Sequence, residues 1–237
     1  MKKYIGTKQI EAEPMTMGEA YERGLLQVGR VPDAEYAKRM GYHVKYADGY
    51  ESWSPAEPFE EAYKLADTSL DRMQIEAEEV NGRYVKLAAF IDSGKMDEVV
   101  NDMYNKCLLE MQCCPMFDYI RLLDTRIQRM QGSDGAKVIK MNFGMAIMAL
   151  KAGFPIRRSG WNGKGLMVFK QVPAHIDSDI IPKMQSIPQS AKDLILKGKG
   201  FIDYTSQCLI YNENTGRADS WVPSISDVFA EDWEIVE

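Results

Sequence analysis

The densest concentration of chemistry-bearing residues in the chain is Arg157-Arg158-Ser159-Gly160-Trp161-Asn162-Gly163-Lys164-Gly165, where three of the last six positions are glycine. Glycines let backbone N–H groups converge on an anion, arginine offers a planar fork of donors, and an indole presents a flat face to a base. Held together, such groups suit a phosphorylated ring compound. The spacing is not a Walker loop, which needs Gly-Lys-Ser/Thr opening a helix, and it is not a dinucleotide fingerprint. The same residues also make a plain glycine-rich hairpin with a core tryptophan and solvated arginines, because Asn-Gly and Gly-x-Gly are ordinary turn chemistry. Alternate side chains of a regular strand point to opposite faces, so Arg157 and Arg158 cannot both serve one pocket from such a strand.

A second constellation is Asp219-Ser220-Trp221-Val222-Pro223-Ser224-Ile225-Ser226-Asp227, followed by Asp232-Trp233. Trp221, held by the proline corner, can stack a base, while Ser224 and Asp227 can accept hydrogen bonds from ribose hydroxyls or an exocyclic amine. The alternative is core and cap, with Asp227 serving the first turn of a short helix. Trp233 lies in Trp-Glu-Ile-Val, where alternation turns it inward as a strand residue of the core.

Catalytic equipment is sparse around these loops. The chain has only His43 and His175, and no histidine, close carboxylate pair or activated cysteine stands beside either loop. The cysteines Cys107, Cys113, Cys114 and Cys208 lack paired C-x-x-C spacing, and three crowd one helical stretch, which suits reduced thiols. Neither a metal site nor a cofactor is expected. The net charge is −6, yet Val138 to Ile176 holds six basic residues (Lys140, Lys151, Arg157, Arg158, Lys164, Lys170) and no acid. An acidic chain that clears carboxylates from one stretch is suited to a compact anion, whereas duplex DNA would be repelled. No run approaches the roughly 18 apolar residues of a membrane span, and the start MKKYIGTKQIEAEP turns acidic where a signal peptide would stay apolar, so a cytoplasmic protein is expected.

Three segments must position these loops. Residues 1–66 read as a small α+β module of unknown function. Residues 67–135 read as a helical hairpin: Leu70, Met73, Ala77, Val80, Tyr84, Leu87 and Ile91 form a heptad seam capped by Asp67 or Thr68, and Ser93-Gly94-Lys95 ends it. A second helix starts near Asp97, with Val99, Met103, Cys107, Met116, Ile120, Leu123, Ile127 and Met130 inward and a kink or split expected at Pro115. Residues 138–237 read as an antiparallel sheet with one packed helix, capped by Asn142 and closed by Gly153, so the fold class is α+β. The long connection from Val172 to Gly200, with a short helix at Ser190 to Leu196, has the length of a binding loop. Met17-Gly18-Glu19-Ala20-Tyr21 and Val44 to Tyr63, with Ser52-Trp53-Ser54-Pro55, parallel Phe143-Gly144-Met145-Ala146-Ile147 and Leu209 to Trp233, with Ser220-Trp221-Val222-Pro223, as a diverged internal repeat would.

Four ordered motifs carry a resemblance. Met141-Asn142-Phe143-Gly144 with Ala149-Leu150-Lys151-Ala152-Gly153, then Arg158-x-Gly160-Trp161-Asn162-Gly163-Lys164-Gly165, then Trp221-x-Pro223-Ser224-x-x-Asp227, and finally Ala230-x-Asp232-Trp233-Glu234-Ile235-Val236 resemble the second family of Thoeris anti-defence proteins of bacteriophages. The resemblance spans residues 138–237. It implies a sponge that sequesters glycocyclic ADP-ribose, with cyclic dinucleotides of CBASS immunity as a second ligand class, without cleaving it. It also implies a homo-oligomer, a tetramer in that family, inside the infected host. Trp161 and Trp221 would stack on the ligand, with Arg157, Arg158, Asn162, Gly163, Lys164, Ser224 and Asp227 as polar or backbone neighbours. Ile225 stands where a polar residue is expected, and the link before Phe201 is longer than in minimal members. Two other readings stay open: a nucleotide hydrolase using Asp227 as general base, and a phage structural adaptor assembled through the hairpin.

Overall fold

The computed structural model describes residues 9–236; the leading segment Met1–Lys8, read above as no signal peptide, lies outside them. The chain divides into two compact units, one up to Ile75 and one from Glu76 onward.

The first unit is a three-stranded antiparallel sheet in the order β1 (Glu11–Thr16), β2 (Met40–Lys45), β3 (Glu51–Pro55). Thr16 ends β1 and caps helix α1 (Met17–Glu22) by a reciprocal bond with Glu19, so the chain passes from strand to helix with its first N–H groups satisfied. Met15, Met17, Ala20 and Trp53 form the core, and Leu25 and Leu26 pack on it. The register explains Gly41: a Cβ there would sit 2.5 Å from the Trp53 ring and 2.3 Å from the Ser54 carbonyl oxygen. The β2–β3 turn closes through Gly49, whose φ of +84° falls in the left-handed region that glycine tolerates. Helix α2 (Ala56–Ala62) follows β3 directly, and Phe59 stacks on Tyr42 with centroids 4.1 Å apart.

Helix α3 (Ser69–Asp92) begins at Thr68, which forms the reciprocal cap with Asp71, and ends at Gly94, which has a φ of +70°. Its predicted seam positions are all buried or half-buried. The second helix differs from expectation. A single turn, α4 (Met96–Val99), is followed by a break at 100–102, after which α5 (Met103–Met130) runs on through Pro115 as one helix of 28 residues. The break lies where the Asp102 carboxylate accepts from the Tyr104 and Asn105 N–H groups. That cap restarts the helix, whereas the proline costs α5 one internal bond. Within the second unit Tyr84 stacks on Phe117, and Tyr119 donates to Glu76 at 2.5 Å.

The rest of the second unit is a five-stranded antiparallel sheet with a helix on one face. Its order is β10 (Trp233–Ile235), β4 (Ile156–Arg158), β5 (Leu166–Lys170), β8 (Cys208–Asn212), β9 (Arg217–Ser220). Helix α6 (Phe143–Lys151) is capped by the Asn142 side chain and lays Met145, Ala146, Ala149 and Leu150 on Ile156, Val168 and Trp233. Asn142 also donates to Asp118 at 2.6 Å, which ties α5 to this layer. The long connection is folded: β6 (Ala174–Ile176) pairs with β7 (Ile202–Tyr204), and α7 (Gln189–Lys197) lies between them. Gln171 N–H donates to the Gln207 carbonyl at 2.8 Å, so this lobe grows out of the β5–β8 ladder rather than hanging as a loop. A last turn, α8 (Ile225–Val228), precedes β10.

In both halves a strand hairpin leads to a short helix, β2–β3–α2 and β8–β9–α8, with a tryptophan before the helix. The two tryptophans stand differently, since Trp53 is inside β3 and Trp221 is one residue past β9.

Candidate functional site

Trp233 is the centre of the sheet-and-helix core, with no exposed surface and its indole N–H donated to the Asp227 carbonyl at 3.1 Å. Three rings surround it: Trp161 and Trp221 edge-on at 5.4 and 6.1 Å between centroids, and Phe143 at 5.7 Å. Both flanking tryptophans are half-buried. They belong to one aromatic cluster, each with part of its ring at the surface.

The carboxylate of Asp227 is saturated. One oxygen accepts from Arg158 at 3.0 Å and from the Trp161 indole N–H at 3.1 Å. The other accepts from the Ser224 N–H at 3.0 Å and its hydroxyl at 2.7 Å, which makes Ser224 and Asp227 a capping box for α8. Burial by itself would raise the Asp227 pKa; the bonds from Ser224, Arg158 and Trp161 outweigh it and hold the carboxyl below the usual carboxylate range. Ionised and with its four acceptor directions filled, Asp227 has no free lone pair with which to deprotonate water.

The glycine-rich loop closes on an anion of its own chain. Arg158 Nε donates to Asp232 at 2.7 Å, and Gly160 N–H donates to the other Asp232 oxygen at 2.8 Å. A Cβ on Gly160 would lie 2.6 Å from that oxygen, which is why glycine stands there. Burial of Asp232 works against its ionisation, but Arg158 and the Gly160 N–H pull the pKa below the ordinary value. Arg157, across the ladder from Glu234, pairs with it at 2.5 Å instead, so the neighbouring arginines take separate partners as strand alternation requires. Asn162, Gly163 and Lys164 form the exposed tip, and the Lys164 carbonyl accepts from Asn214 at 2.7 Å. The structure thus brings Trp161, Arg158, Ser224 and Asp227 into one bonded frame and leaves Arg157, Asn162 and Lys164 outside it.

A groove of about 390 Å³ is lined by Phe143, Ile147, Leu150, Lys151, Lys170, Ser206, Gln207, Cys208, Trp221 and Pro223. Of the sequence-based site residues, Trp221 alone lines it. Two periodicities build its walls. Phe143, Ile147, Leu150 and Lys151 are four, seven and eight residues apart along α6 and share one stripe. Lys170 pairs with Cys208, and Trp221 N–H donates to the Cys208 carbonyl at 2.9 Å, so Lys170, Cys208 and Trp221 are a row across three strands on the face that buries Val168. The groove therefore lies where helix and sheet diverge. Lys151 and Lys170 were visible in the acid-free stretch; their convergence with Trp221 rests on pairings distant in sequence.

The comparisons with known proteins bear on this domain. A family model for the Thoeris anti-defense 2-like domain matches residues 141–236. Thoeris anti-defense 2 of Bacillus phage SP01 is 34% identical over 102 residues, which cover 41% of this chain and 96% of that protein. The chain belongs to the Thoeris anti-defense 2 family. A further family model, described as Sequestin, matches residues 67–129, the stretch that forms α3 to α5. The Thoeris anti-defense 2 domain thus takes up the sheet, α6 and the groove, with the folded lobe at 171–207 inserted between β5 and β8. No helix among the described residues is long and apolar enough to cross a membrane, and no cluster of metal-ligating side chains occurs among them.

Proposed function

We propose that this protein is a sponge that removes a small cyclic nucleotide signal from solution and does no chemistry on it. Glycocyclic ADP-ribose is the first ligand, in keeping with membership of the Thoeris anti-defense 2 family, and cyclic dinucleotides are a second class. The observation that carries the reading is the groove: an indole, a phenyl ring, two ammonium groups, and no carboxylate among the lining residues. Its volume falls in the range of small-molecule sites, about 300 to 1,000 Å³. Stacking supplies affinity without a reactive group.

The hydrolase alternative needs a base, and the saturated, ionised Asp227 argues against one there. His43 is held by Glu13 and Glu51 in the first unit and His175 by Asp203 and Asp177 on the lobe; neither lines the groove. The deciding experiment incubates the protein with glycocyclic ADP-ribose for hours, denatures it and analyses the nucleotide. Intact ligand recovered from a depleted solution is the expected result. Linear ADP-ribose in excess of the protein would make it an enzyme.

Copies of the chain self-associate, on this reading, through the apolar surface that the hairpin leaves open. Met103, Tyr104 and Met111 of α5 are 75%, 70% and 63% exposed and supply apolar surface for such a contact. Light scattering at micromolar concentration should return a multiple of 26.9 kDa, and a monomer would remove this part of the proposal.

A further inference from the structure

We propose that Lys151 and Lys170, and not the arginines of the glycine-rich loop, read the phosphates of the ligand, and that the groove selects a compact nucleotide bearing two phosphate charges next to a base. The inference rests on the sponge reading and sharpens it by saying which side chains confer anion selectivity.

The first support is the state of the arginines. Arg158 gives one fork position to Asp232, another to Asp227, and shares the second with the Ser226 carbonyl at 3.3 Å. Its charge is balanced twice over within the protein. A phosphate approaching it would meet two carboxylates that already bind it, and repulsion from them would cancel the attraction. At the base of the loop the backbone donors are committed likewise: Ser159 and Gly160 N–H donate to the Asp232 carbonyl and carboxylate, and Trp161 N–H donates to the Arg158 carbonyl. Arg157 is paired with Glu234.

The second support is the state of the lysines. Both are exposed at the rim of the groove, and among the described residues neither Lys151 nor Lys170 has an ion-pair partner. They come from opposite walls, Lys151 from the last turn of α6 and Lys170 from the end of β5. A single phosphate could be gripped by one of them. Two unpaired charges on facing walls, with no acid between them, fit a pyrophosphate or a pair of phosphodiesters. The Trp221 ring lies in the same cross-strand row as Lys170, which puts a base against the indole while its phosphates face the ammonium groups. Gln207 and Ser206 at the root of the lobe add neutral polar lining for ribose hydroxyls.

Titration calorimetry on the full chain separates the possibilities, using glycocyclic ADP-ribose, ADP-ribose and adenosine as probes. Wild type should bind the two diphosphates and bind adenosine at least about a hundred-fold more weakly, the loss of two charge-assisted contacts. Lys151→Gln and Lys170→Gln should each weaken the diphosphates by about ten-fold or more and leave adenosine unchanged. Lys170→Arg, which keeps the charge, should hold most of the affinity, and the exposed Lys197→Gln on α7 should bind as wild type. Melting temperatures confirm that each variant is folded. A folded Lys151→Gln/Lys170→Gln double variant with wild-type affinity for glycocyclic ADP-ribose would overturn this inference and leave the sponge intact. A wild-type protein that binds none of the probes would overturn both.

Discussion

Trp53 and Trp221 occupy the same kind of corner, Ser-Trp-Ser-Pro in one case and Ser-Trp-Val-Pro in the other, and the fold puts them to opposite uses. Trp53 lies opposite His43 in the ladder, only 9% exposed, with its indole N–H donated to the Met15 carbonyl at 3.0 Å. Helix α1 and Gly41 close over it, so its face is spent on packing. Trp221 stands one residue past β9, where its cross-strand neighbour is Cys208 and it stays half-buried. One edge meets Trp233 and the remaining surface lines the groove. An indole after a hairpin is therefore buried or groove-lining according to its register with the strand ends, and motif similarity does not decide between them.

The largest effect that tests this contrast is Trp53→Ala. Removing a buried, hydrogen-bonded indole should cost about 3 to 5 kcal/mol of the first unit's stability, seen as a lowered first transition in denaturant melts. Nucleotide affinity should stay at the wild-type value, because the groove belongs wholly to the second unit. A loss of binding with an unchanged melt would reverse the roles assigned to the two tryptophans.

Next in size is the frame that holds the Trp161 loop and α8 together. Asp227→Ala strips Arg158 of one partner and leaves the Trp161 indole N–H and the Ser224 N–H without their acceptor; breaking a mostly buried pair in this way costs about 3 kcal/mol or more. The same frame sets a pH dependence. Asp227 and Asp232 have folded pKa values below their unfolded ones, so their contribution is full above about pH 4 and is lost as pH falls through the lowered folded values. Stability curves for wild type and Asp227→Ala should converge toward acid. Curves that stay parallel from neutral pH down to about pH 2 would show that the ionised carboxylate is not what holds the loop.

Trp221→Ala comes third and completes the comparison. If this ring stacks a base, affinity for glycocyclic ADP-ribose should fall by about 1 to 3 kcal/mol while the melt shifts less than it does for Trp53→Ala. Equal affinity in a folded variant would take Trp221 out of the site.

Regular elements were legible because their periods are local. The seam Leu70 to Ile91, the Asn142 cap of α6 and the inward Trp233 each follow from residues a few positions apart, and all appear in the structure. The α4–α5 break was misread, since Pro115 is a louder signal than an aspartate cap at 102, yet a cap decides where a helix begins and a proline inside a long helix is carried by its neighbours. The groove was out of reach for a different reason. Lys170 and Trp221 are separated by the whole folded lobe and meet only because β8 pairs with both of their strands. Arg158 was visible as a donor, but its two carboxylate partners follow it by about seventy residues, and no local pattern announces that pairing.

The smallest expected effect separates two adjacent arginines that sequence alone makes equivalent. Arg157 sits opposite Glu234 with its side chain 45% exposed, and solvent screens the pair. Arg157→Gln should therefore change stability by about 0 to 1 kcal/mol and leave nucleotide affinity unchanged, within the usual range for an exposed ion pair. Arg158→Gln at the next position abandons two carboxylates whose surroundings are largely closed to water, and should destabilise the second unit several-fold more in free energy. Its effect on affinity, if the arginine is a brace, should follow the displaced Trp161 loop and shrink in stabilising osmolyte, which strengthens the loop's remaining apolar contacts. A lost phosphate contact would behave otherwise: the affinity deficit would persist in a fully folded variant and would diminish as salt screens the wild-type attraction. Melting curves paired with calorimetry at low and high ionic strength distinguish the two. A large, salt-sensitive affinity loss in a folded Arg158→Gln protein would return that arginine to the ligand and weaken the assignment of phosphate recognition to the lysines.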